Sequence, residues 1–273
     1  RFRNKYQDKY LDVGIAEQNL IGVASGLASE GYKVFTTTFA PFQTLRCLEQ
    51  IKVNLGYMKL PVKMVGIASG LVLGSLGFTH CSIEDIGAIR SIPNITIISP
   101  ADTTETAKAI VALMDYDHPV YLRLTGGANS KLVFDDDYKF EIGKPIEIKK
   151  GEDLKIFCTG ATVASCLEVY EELKLKNISA SIINVHTLKP IIDKHFENFL
   201  KNSKNVFTVE EHNIIGGLGS IISELIAKNG YSAKLKCFGV SDIYSKGGDY
   251  KNMLEKNRLD SKSLMIDIMN SIK

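Results

Sequence analysis

The stretch ITIISPADTTETAKAIVALMDYDHPVYLRL, residues 95–124, contains a complete strand–helix–strand unit. Thr96–Ile98 is entirely β-branched and Val120–Leu124 contains Val and Tyr, residue types that favour extended backbone, so two short strands are predicted there. Between them, Asp102 is followed three positions later by Glu105, a spacing typical of the first turn of a helix. A strand, a helix and a second strand in this order indicate a parallel sheet with helices packed on it.

The same alternation continues through most of the 273 residues. In the first half, strands are predicted over Val34–Thr38 and Val62–Ile67, and the run Ser82-Ile83-Glu84-Asp85 predicts a helix beginning near Ser82. The second half repeats the pattern with strands at Leu154–Phe157, Ala180–Asn184, Asn205–Val209 and Leu235–Phe238, and helices at about 161–175 and 217–228.

The alternation breaks over residues 132–150, which contain Asp135-Asp136-Asp137, Gly143 and Pro145 before a Lys-Lys-Gly-Glu-Asp cluster. Such a run is typical of a connector. The predicted fold class is therefore α/β with two domains, each a mainly parallel sheet flanked by helices. We place the first domain at residues 1–131, the linker at 132–150 and the second domain at 151–273.

Composition and charge limit the kinds of partner and the cellular compartment that are expected for this protein. The formal net charge is +2, and Lys and Arg are spread along the chain without a basic stripe, so no nucleic-acid partner is expected. No apolar run approaches the roughly 20 residues that span a bilayer, and the first residues, RFRNKYQDKY, contain no apolar core of the kind that a signal peptide needs, so no membrane partner is expected. The five cysteines form no C-x-x-C pair, which favours reduced thiols in the cytoplasm.

Four residues are candidates for function. Glu17 stands in DVGIAEQN (12–19), between a glycine turn and a helix of small residues; alone, it is equally typical of an acid that complements a helix dipole. Phe39 and Phe42 follow a predicted strand end, where ligands meet α/β sheets, although ordinary core aromatics would also fit. His80 lies in a glycine-rich loop and is a candidate proton-transfer group. No histidines have metal-ligand spacing, so no metal ligands are predicted in this chain.

Six motifs occur in a fixed order over nearly the whole chain: DVGIAEQN, TTTFAPF, FTHCSIEDIGAIRSIPNITIISPAD, FCTGAT, NVHTLKPI and TVEEHNIIGGLGS. In this order they resemble the carboxyl-terminal half of the transketolase family. The resemblance is to its split-gene form, in which a separate chain carries the amino-terminal half. It implies a pyrimidine-binding domain followed by a transketolase C-terminal domain.

The resemblance implies thiamine diphosphate as cofactor. Glu17 matches the glutamate that hydrogen-bonds the ring nitrogen of the aminopyrimidine, which allows the exocyclic nitrogen to take the proton from the thiazolium carbon. Ile15, Phe39 and Phe42 would surround the aminopyrimidine ring. His80 matches the histidine near the thiazolium and the substrate, so Glu17 and His80 are the predicted catalytic residues.

The family binds the diphosphate and Mg²⁺ with a Gly-Asp-Gly motif, and this sequence contains none. The Mg²⁺ ligands are therefore expected from an amino-terminal, diphosphate-binding subunit, in an α2β2 assembly with contacts between two copies of this chain. Only 16 residues precede Glu17, whereas the family has an additional strand and helix there. We expect either that the segment is shortened or that it lies outside residues 1–273.

The substrate positions depart from transketolase proper. Ala68 stands where a substrate-binding histidine is usual, Leu76 where an aspartate reads a sugar hydroxyl, and Gly126, in Leu124-Thr125-Gly126-Gly127, near the place of a phosphate-binding arginine. Arg123, just before, joins His80 as a predicted substrate-binding residue. We therefore expect a sugar-type substrate other than the ordinary pentose phosphates, one that is unphosphorylated, nucleotide-linked or more apolar. The alternatives are that the partner chain supplies the missing groups or that the alignment is displaced by a residue or two.

The predicted reaction is transfer of a two-carbon ketol unit by a subunit that is active only with its partner. One alternative is a β-type subunit of a 2-oxo acid dehydrogenase or decarboxylase. Another is a non-catalytic scaffold subunit, as Ala68, Leu76 and Gly126 would suggest. The retained cofactor glutamate, Glu17, argues against a scaffold.

Overall fold

The computed structural model describes residues 2–126, 131–134 and 138–272. Gly127 and the predicted linker residues 135–137 lie outside the described residues. The described chain forms two five-stranded sheets, each mostly parallel and flanked by helices, so the predicted fold class is confirmed.

The first sheet contains strands β1 (Phe35–Phe39), β2 (Lys63–Ser69), β3 (Thr96–Ile98), β4 (Val120–Thr125) and β8 (Thr187–Lys189). Their order across the sheet is β1-β2-β4-β3-β8. The first four strands are parallel, and β8 joins β3 antiparallel. The inner strands are rich in Val, Ile and Leu and are buried on both faces, as expected for parallel strands covered by helices.

The second sheet contains strands β5 (Ile146–Lys149), β6 (Leu154–Cys158), β7 (Ala180–Asn184), β9 (Asn205–Asn213) and β10 (Lys234–Val240). Their order is β10-β9-β6-β7-β5, with β5 antiparallel to β7 at the sheet edge. Strand β5 lies inside the predicted linker, so the interpretation of that part as a plain connector was wrong. Its short, half-buried run IEIK follows Pro145 and precedes a charged cluster, which concealed it.

The helices are α1 (Phe2–Lys5), α2 (Glu17–Ser29), α3 (Ala40–Gln43), α4 (Leu48–Gln50), α5 (Asp85–Arg90), α6 (Thr103–Leu113), α7 (Thr162–Leu175), α8 (Glu197–Leu200), α9 (Leu218–Asn229), α10 (Tyr250–Lys256) and α11 (Ser261–Ile272). A π-helical segment, Ile51–Tyr57, continues α4. None of the helices in the described ranges is long and apolar enough to cross a bilayer.

The two predicted helix starts have different outcomes. Asp102 caps α6 as predicted, since its Oδ1 accepts a hydrogen bond from the Glu105 backbone N–H at 2.8 Å. Ser82 does not cap α5, which begins three residues later at Asp85. The backbone of Ser82 instead exchanges two hydrogen bonds of 2.9 Å with Gly70, which holds it in extended conformation.

The two domains share structure beyond their connector. Strand β8 follows β7 of the second domain but completes the first sheet. Its Lys189 Nζ donates hydrogen bonds to the backbone carbonyls of Arg90 and Ile92, at the end of α5. One apolar core cluster correspondingly contains residues from both domains, among them Ile89 and Leu218.

Candidate active site

Glu17 is the first residue of α2 and closes a tight turn. Gly14 has a φ of +75°, which glycine adopts without strain, and its N–H donates to Asp12 Oδ1 at 2.9 Å. The turn brings Glu17 to the helix start with only 8% of its surface exposed. The Glu17 carboxylate is therefore mostly buried but remains partly accessible from the surface.

The two oxygens of Glu17 have different environments. Oε2 accepts a hydrogen bond from Arg46 Nη1 at 2.7 Å, in an ion pair whose arginine side chain is 45% exposed. Within the described residues, nothing donates to Oε1. One edge of the carboxylate is thus occupied and the other is open.

Phe39, Phe42 and His80 form a cluster that we call the aromatic trio. The ring centroids of Phe42 and His80 are 5.2 Å apart, those of Phe39 and Phe42 6.1 Å, and those of Phe39 and His80 6.5 Å, all edge-to-face. Phe39 ends β1 and Phe42 lies in α3, so the trio sits at the carboxyl end of the first sheet. Arg46 joins it to Glu17, because the guanidinium carbon lies 4.1 Å from the Phe42 ring centroid.

His80 is carried by the glycine-rich loop after β2. Gly77, with a φ of +82°, reverses the chain, and the His80 N–H donates to the Gly77 carbonyl at 3.0 Å. Its Nδ1 is 3.0 Å from Thr79 Oγ1. In the described part of the chain, Nε2 has no hydrogen-bond partner, so this nitrogen can give or take a proton.

Ile15 lies close to Glu17 in the chain but is 96% exposed. The small residues of α2 divide between two faces: Ala24 and Ala28 are buried, whereas Gly22 and Gly26 are exposed, and beyond the adjacent residues and the nearby backbone of α2 no described atom lies within 4 Å of an added Cβ. The open surface beside Glu17 therefore has room for a close-packed neighbour.

The structure does not support the predicted substrate-binding role of Arg123. Its side chain is 1% exposed and bonds Asp85 Oδ2 through Nε at 2.8 Å. Its remaining guanidinium nitrogens donate to Thr125 Oγ1 and to the backbone carbonyls of Ser82 and Glu211. The guanidinium is thus a bridge between the two domains, and a substrate could not reach it without breaking that bridge.

Asp85, Tyr121, Arg123, Glu211 and His212 form a buried group that we call the interdomain cluster. Tyr121 Oη donates to Asp85 at 2.6 Å, and the Leu71 N–H donates to Glu211 at 2.6 Å. Burial raises the pKa of Glu211 to about 7 and lowers the pKa of His212 to about 4. His212 is therefore neutral, accepting from the Gly87 N–H at Nε2 (3.3 Å) and donating from Nδ1 to the Asn213 carbonyl (2.7 Å).

Two family models match the chain. The transketolase pyrimidine-binding domain matches residues 1–129, and the transketolase C-terminal domain matches residues 143–264. The chain belongs to the transketolase family. Over 265 residues it is 37% identical to one of the subunits of the apulose-4-phosphate transketolase of Actinobacillus succinogenes, a match that covers 97% of this chain and 85% of that protein.

Two further transketolase-family proteins have the same division into subunits. The chain is 35% identical to the 6-deoxy-6-sulfo-D-fructose transketolase subunit SqwH of a Clostridium species, covering 97% of this chain and 82% of that protein. The solved structure described as "Split gene transketolase, inactive beta4 tetramer" has a TM-score of 0.89 and 31% identity, covering 99% of this chain and 86% of that one. The predicted resemblance to a split transketolase is confirmed.

The residues present fit thiamine diphosphate. An aminopyrimidine needs an acid beside its ring nitrogen and an apolar surface against its face. The open Oε1 of Glu17, linked through Arg46 to the aromatic trio, supplies both. In contrast, no group of three or more His, Cys, Asp or Glu side chains in the described residues could hold a metal ion.

Sequence reasoning missed Arg46. It stands four residues after Phe42 and seven after Phe39, a spacing that would place the three side chains on one face of a continuous helix, although in the structure Phe39 ends β1. That periodicity was a usable signal. The interdomain cluster had no such signal, because its members are as far apart in the chain as Asp85 and His212.

Proposed function

We propose that this chain is the carboxyl-terminal subunit of a split transketolase, which transfers a two-carbon ketol unit between sugars on thiamine diphosphate. The observation that carries the proposal is the open Oε1 of Glu17 beside the aromatic trio. A scaffold would have no use for a carboxylate that keeps one oxygen without a partner at a surface that a ligand can reach.

The chemistry that thiamine diphosphate supplies when bound is a nucleophilic thiazolium carbon that also accepts the electron pair released from a cleaved ketose. In this proposal, Glu17 shares a proton with the aminopyrimidine ring nitrogen at Oε1. Phe39 and Phe42 exclude water from the ring, and His80 handles a substrate proton at Nε2.

The diphosphate and Mg²⁺ are assigned to a separate subunit. This chain has no Gly-Asp-Gly motif, and its described residues offer no metal-binding group. Support for a half-site comes from the solved relative, a tetramer of β chains that is described as inactive. We propose an α2β2 assembly in which the exposed Ile15 and the outward Gly22 and Gly26 of α2 meet neighbouring chains.

The substrate is proposed to be a sugar outside the ordinary pentose phosphates. Ala68, at the end of β2, offers only a methyl group, and Leu76, 55% exposed in the His80 loop, offers an apolar surface. The two named relatives act on apulose-4-phosphate and on 6-deoxy-6-sulfo-D-fructose, both unusual sugars. Because Arg123 is committed to the interdomain cluster, groups that bind an anionic sugar end are assigned to the partner subunit.

We assign the protein to the cytoplasm. The five cysteines are free thiols and four of them are buried, as expected for a protein in a reducing compartment.

The test is reconstitution of this chain with its diphosphate-binding subunit, thiamine diphosphate and Mg²⁺. We expect Glu17→Ala to lower the rate of ketol transfer by about 10²–10⁴-fold, the usual range for a lost acid–base group. The matched control is Glu30→Ala, which removes an exposed carboxylate at the other end of α2 and should leave the rate unchanged.

Ketol transfer that survives Glu17→Ala would contradict the catalytic role. Cofactor binding by this chain alone with the affinity of the complex would contradict the shared site. Release of carbon dioxide from a 2-oxo acid without ketol transfer would favour the dehydrogenase-type alternative, and no reaction with a correctly assembled complex would favour the scaffold.

A further inference from the structure

We infer that Arg46 is a positioning residue that fixes the carboxylate of Glu17 so that only Oε1 faces the cofactor. The inference rests on the proposed function, since it assigns the residue that orients its proton-sharing group. Arg46 touches Glu17 and Phe42 but not the reacting atoms.

Arg46 makes two contacts with one planar group. Its Nη1 donates to Glu17 Oε2 at 2.7 Å, and its guanidinium carbon lies over the Phe42 ring, 4.1 Å from the ring centroid. A guanidinium can do both at once because its donors lie in the plane and its faces stack on aromatic rings. One side chain therefore connects the carboxylate to the ring surface.

The backbone that carries Arg46 is tied to the helix that carries Glu17. The side-chain amide of Gln18, the residue after Glu17, donates to the Arg46 carbonyl at 3.2 Å. The next residue, Cys47, is buried, and its Sγ donates to the Phe42 carbonyl at 3.2 Å. Both ends of the Arg46–Glu17 contact are thus anchored, which limits the orientations that the pair can adopt.

The hydrogen bond from Arg46 to Oε2 determines which carboxylate oxygen of Glu17 is left for the cofactor. A free carboxylate can rotate and offer either oxygen to water or to a ligand. With Oε2 held by Arg46 and no described donor on Oε1, the carboxylate has one open edge. A ring nitrogen that approaches Oε1 meets a group already oriented, which lowers the entropic cost of the contact.

An alternative is that Arg46 blocks the site and must leave before the cofactor enters. Its side chain is 45% exposed, so such movement is sterically open. The two roles give opposite results when the guanidinium is removed. A blocking residue would weaken cofactor binding when present, whereas a positioning residue strengthens it.

The experiment uses the complex of this chain with its diphosphate-binding subunit at saturating Mg²⁺. Equilibrium dialysis with thiamine diphosphate gives the cofactor Kd, and ketol transfer gives kcat and the KM for the sugar donor. The variants are Arg46→Gln, Arg46→Lys, Glu17→Ala and the double variant. The matched control is Lys52→Gln, which removes an exposed cation from the segment that follows α4.

We expect Arg46→Gln to raise the cofactor Kd and to lower kcat at saturating cofactor by about tenfold each, a typical loss for a misplaced reacting group. The sugar KM should stay within about twofold, and Arg46→Lys should recover part of both losses, because it keeps the charge but not the stacked plane. The double variant should be no worse than Glu17→Ala, since Arg46 acts through Glu17. Lys52→Gln should match wild type.

An unchanged or lower cofactor Kd in Arg46→Gln would overturn the inference, and a lower one would establish the blocking role. Additive losses in the double variant would overturn it as well. If Glu17→Ala itself has no effect, the proposed function fails; if Glu17→Ala is inactive while Arg46→Gln equals wild type, only the positioning role fails. Urea unfolding of each variant confirms that the compared chains are folded.

Discussion

Two of the arginine–carboxylate pairs in the described residues differ sharply in burial. In the pair of Arg123 and Asp85, the side chains are 1% and 0% exposed, whereas in the pair of Arg46 and Glu17 they are 45% and 10% exposed. Within the described residues, both carboxylates have one oxygen without a hydrogen bond, Oδ1 of Asp85 and Oε1 of Glu17. Only that of Glu17 lies where a ligand can reach it.

This difference separates structural ion pairs from functional ones. The guanidinium of Arg123 donates hydrogen bonds to Thr125, on the same strand, and to backbone carbonyls of both domains. Its charge therefore stabilises the contact between the domains. Arg46 contacts one carboxylate oxygen and one aromatic ring, and nearly half of its side chain is exposed. A basic residue near a predicted site is therefore informative only when its partners are known.

The largest effect on the free energy of unfolding is expected when the buried ion pair is broken. Arg123→Met leaves Asp85 buried beside Tyr121 with no compensating cation. Loss of one partner of a buried pair costs about 3–5 kcal/mol, so the free energy of unfolding should fall by that amount. Urea unfolding of the full chain measures it, with Arg3→Met as the control, because Arg3 is 66% exposed and its contact with Asp12 is 3.9 Å long. A loss below about 1 kcal/mol, the range of exposed pairs, would contradict the comparison.

A smaller effect depends on pH through Glu211. Burial raises the pKa of its carboxyl from the ordinary 4.5 to about 7, so the folded chain binds this proton more tightly than the unfolded chain. Its contribution to stability is therefore present below about pH 4.5 and is lost as pH rises towards 7. We expect Glu211→Gln, which cannot ionise, to gain about 1–3 kcal/mol relative to wild type between pH 5 and 7.5.

Urea midpoints of both chains at several pH values test this expectation. The comparison between variant and wild type cancels the opposing titration of His212, whose pKa is lowered to about 4 and which both chains retain. A difference that is constant across the window, or that moves in favour of wild type as pH rises, would show that Glu211 does not titrate as burial requires.

The smallest effect concerns the stability contributed by the open pair. Arg46→Gln should change the free energy of unfolding by less than about 1 kcal/mol, because solvent screens a pair whose arginine is 45% exposed. The same variant is expected to alter cofactor binding, so its effects on folding and on function should separate. A stability loss as large as that of Arg123→Met would mean that the two pairs are alike.

Much of the fold was readable from local pattern. The strands Thr96–Ile98 and Ala180–Asn184 were predicted with their observed bounds, since a short run of β-branched residues between turns has few alternatives. The cap at Asp102 was equally local. The start of α5 at Asp85 was missed because Ser82 pairs with Gly70, twelve residues away, and a distant partner leaves no mark on the local pattern.

The same contrast between local sequence pattern and distant contacts applies to the candidate site. Glu17, Phe39, Phe42 and His80 were predicted because they stand in motifs, and the structure brings the three rings together, with Arg46 between Phe42 and Glu17. The geometry at Arg123 depends on contacts with Asp85 and Glu211, which no spacing rule connects. Burial of a charged residue is a property of the assembled fold, and sequence position alone left it undetermined.

Strand β8 has a consequence for how the chain could be divided. Since it comes from the second domain and covers the β3 edge of the first sheet, a polypeptide ending between the two family matches would expose an unpaired, apolar strand edge, a known template for aggregation. The two domains match separate family models, but the first domain depends on the second for the strand that covers one edge of its sheet. The first sheet is therefore closed at that edge only when residues of both domains are present in one chain.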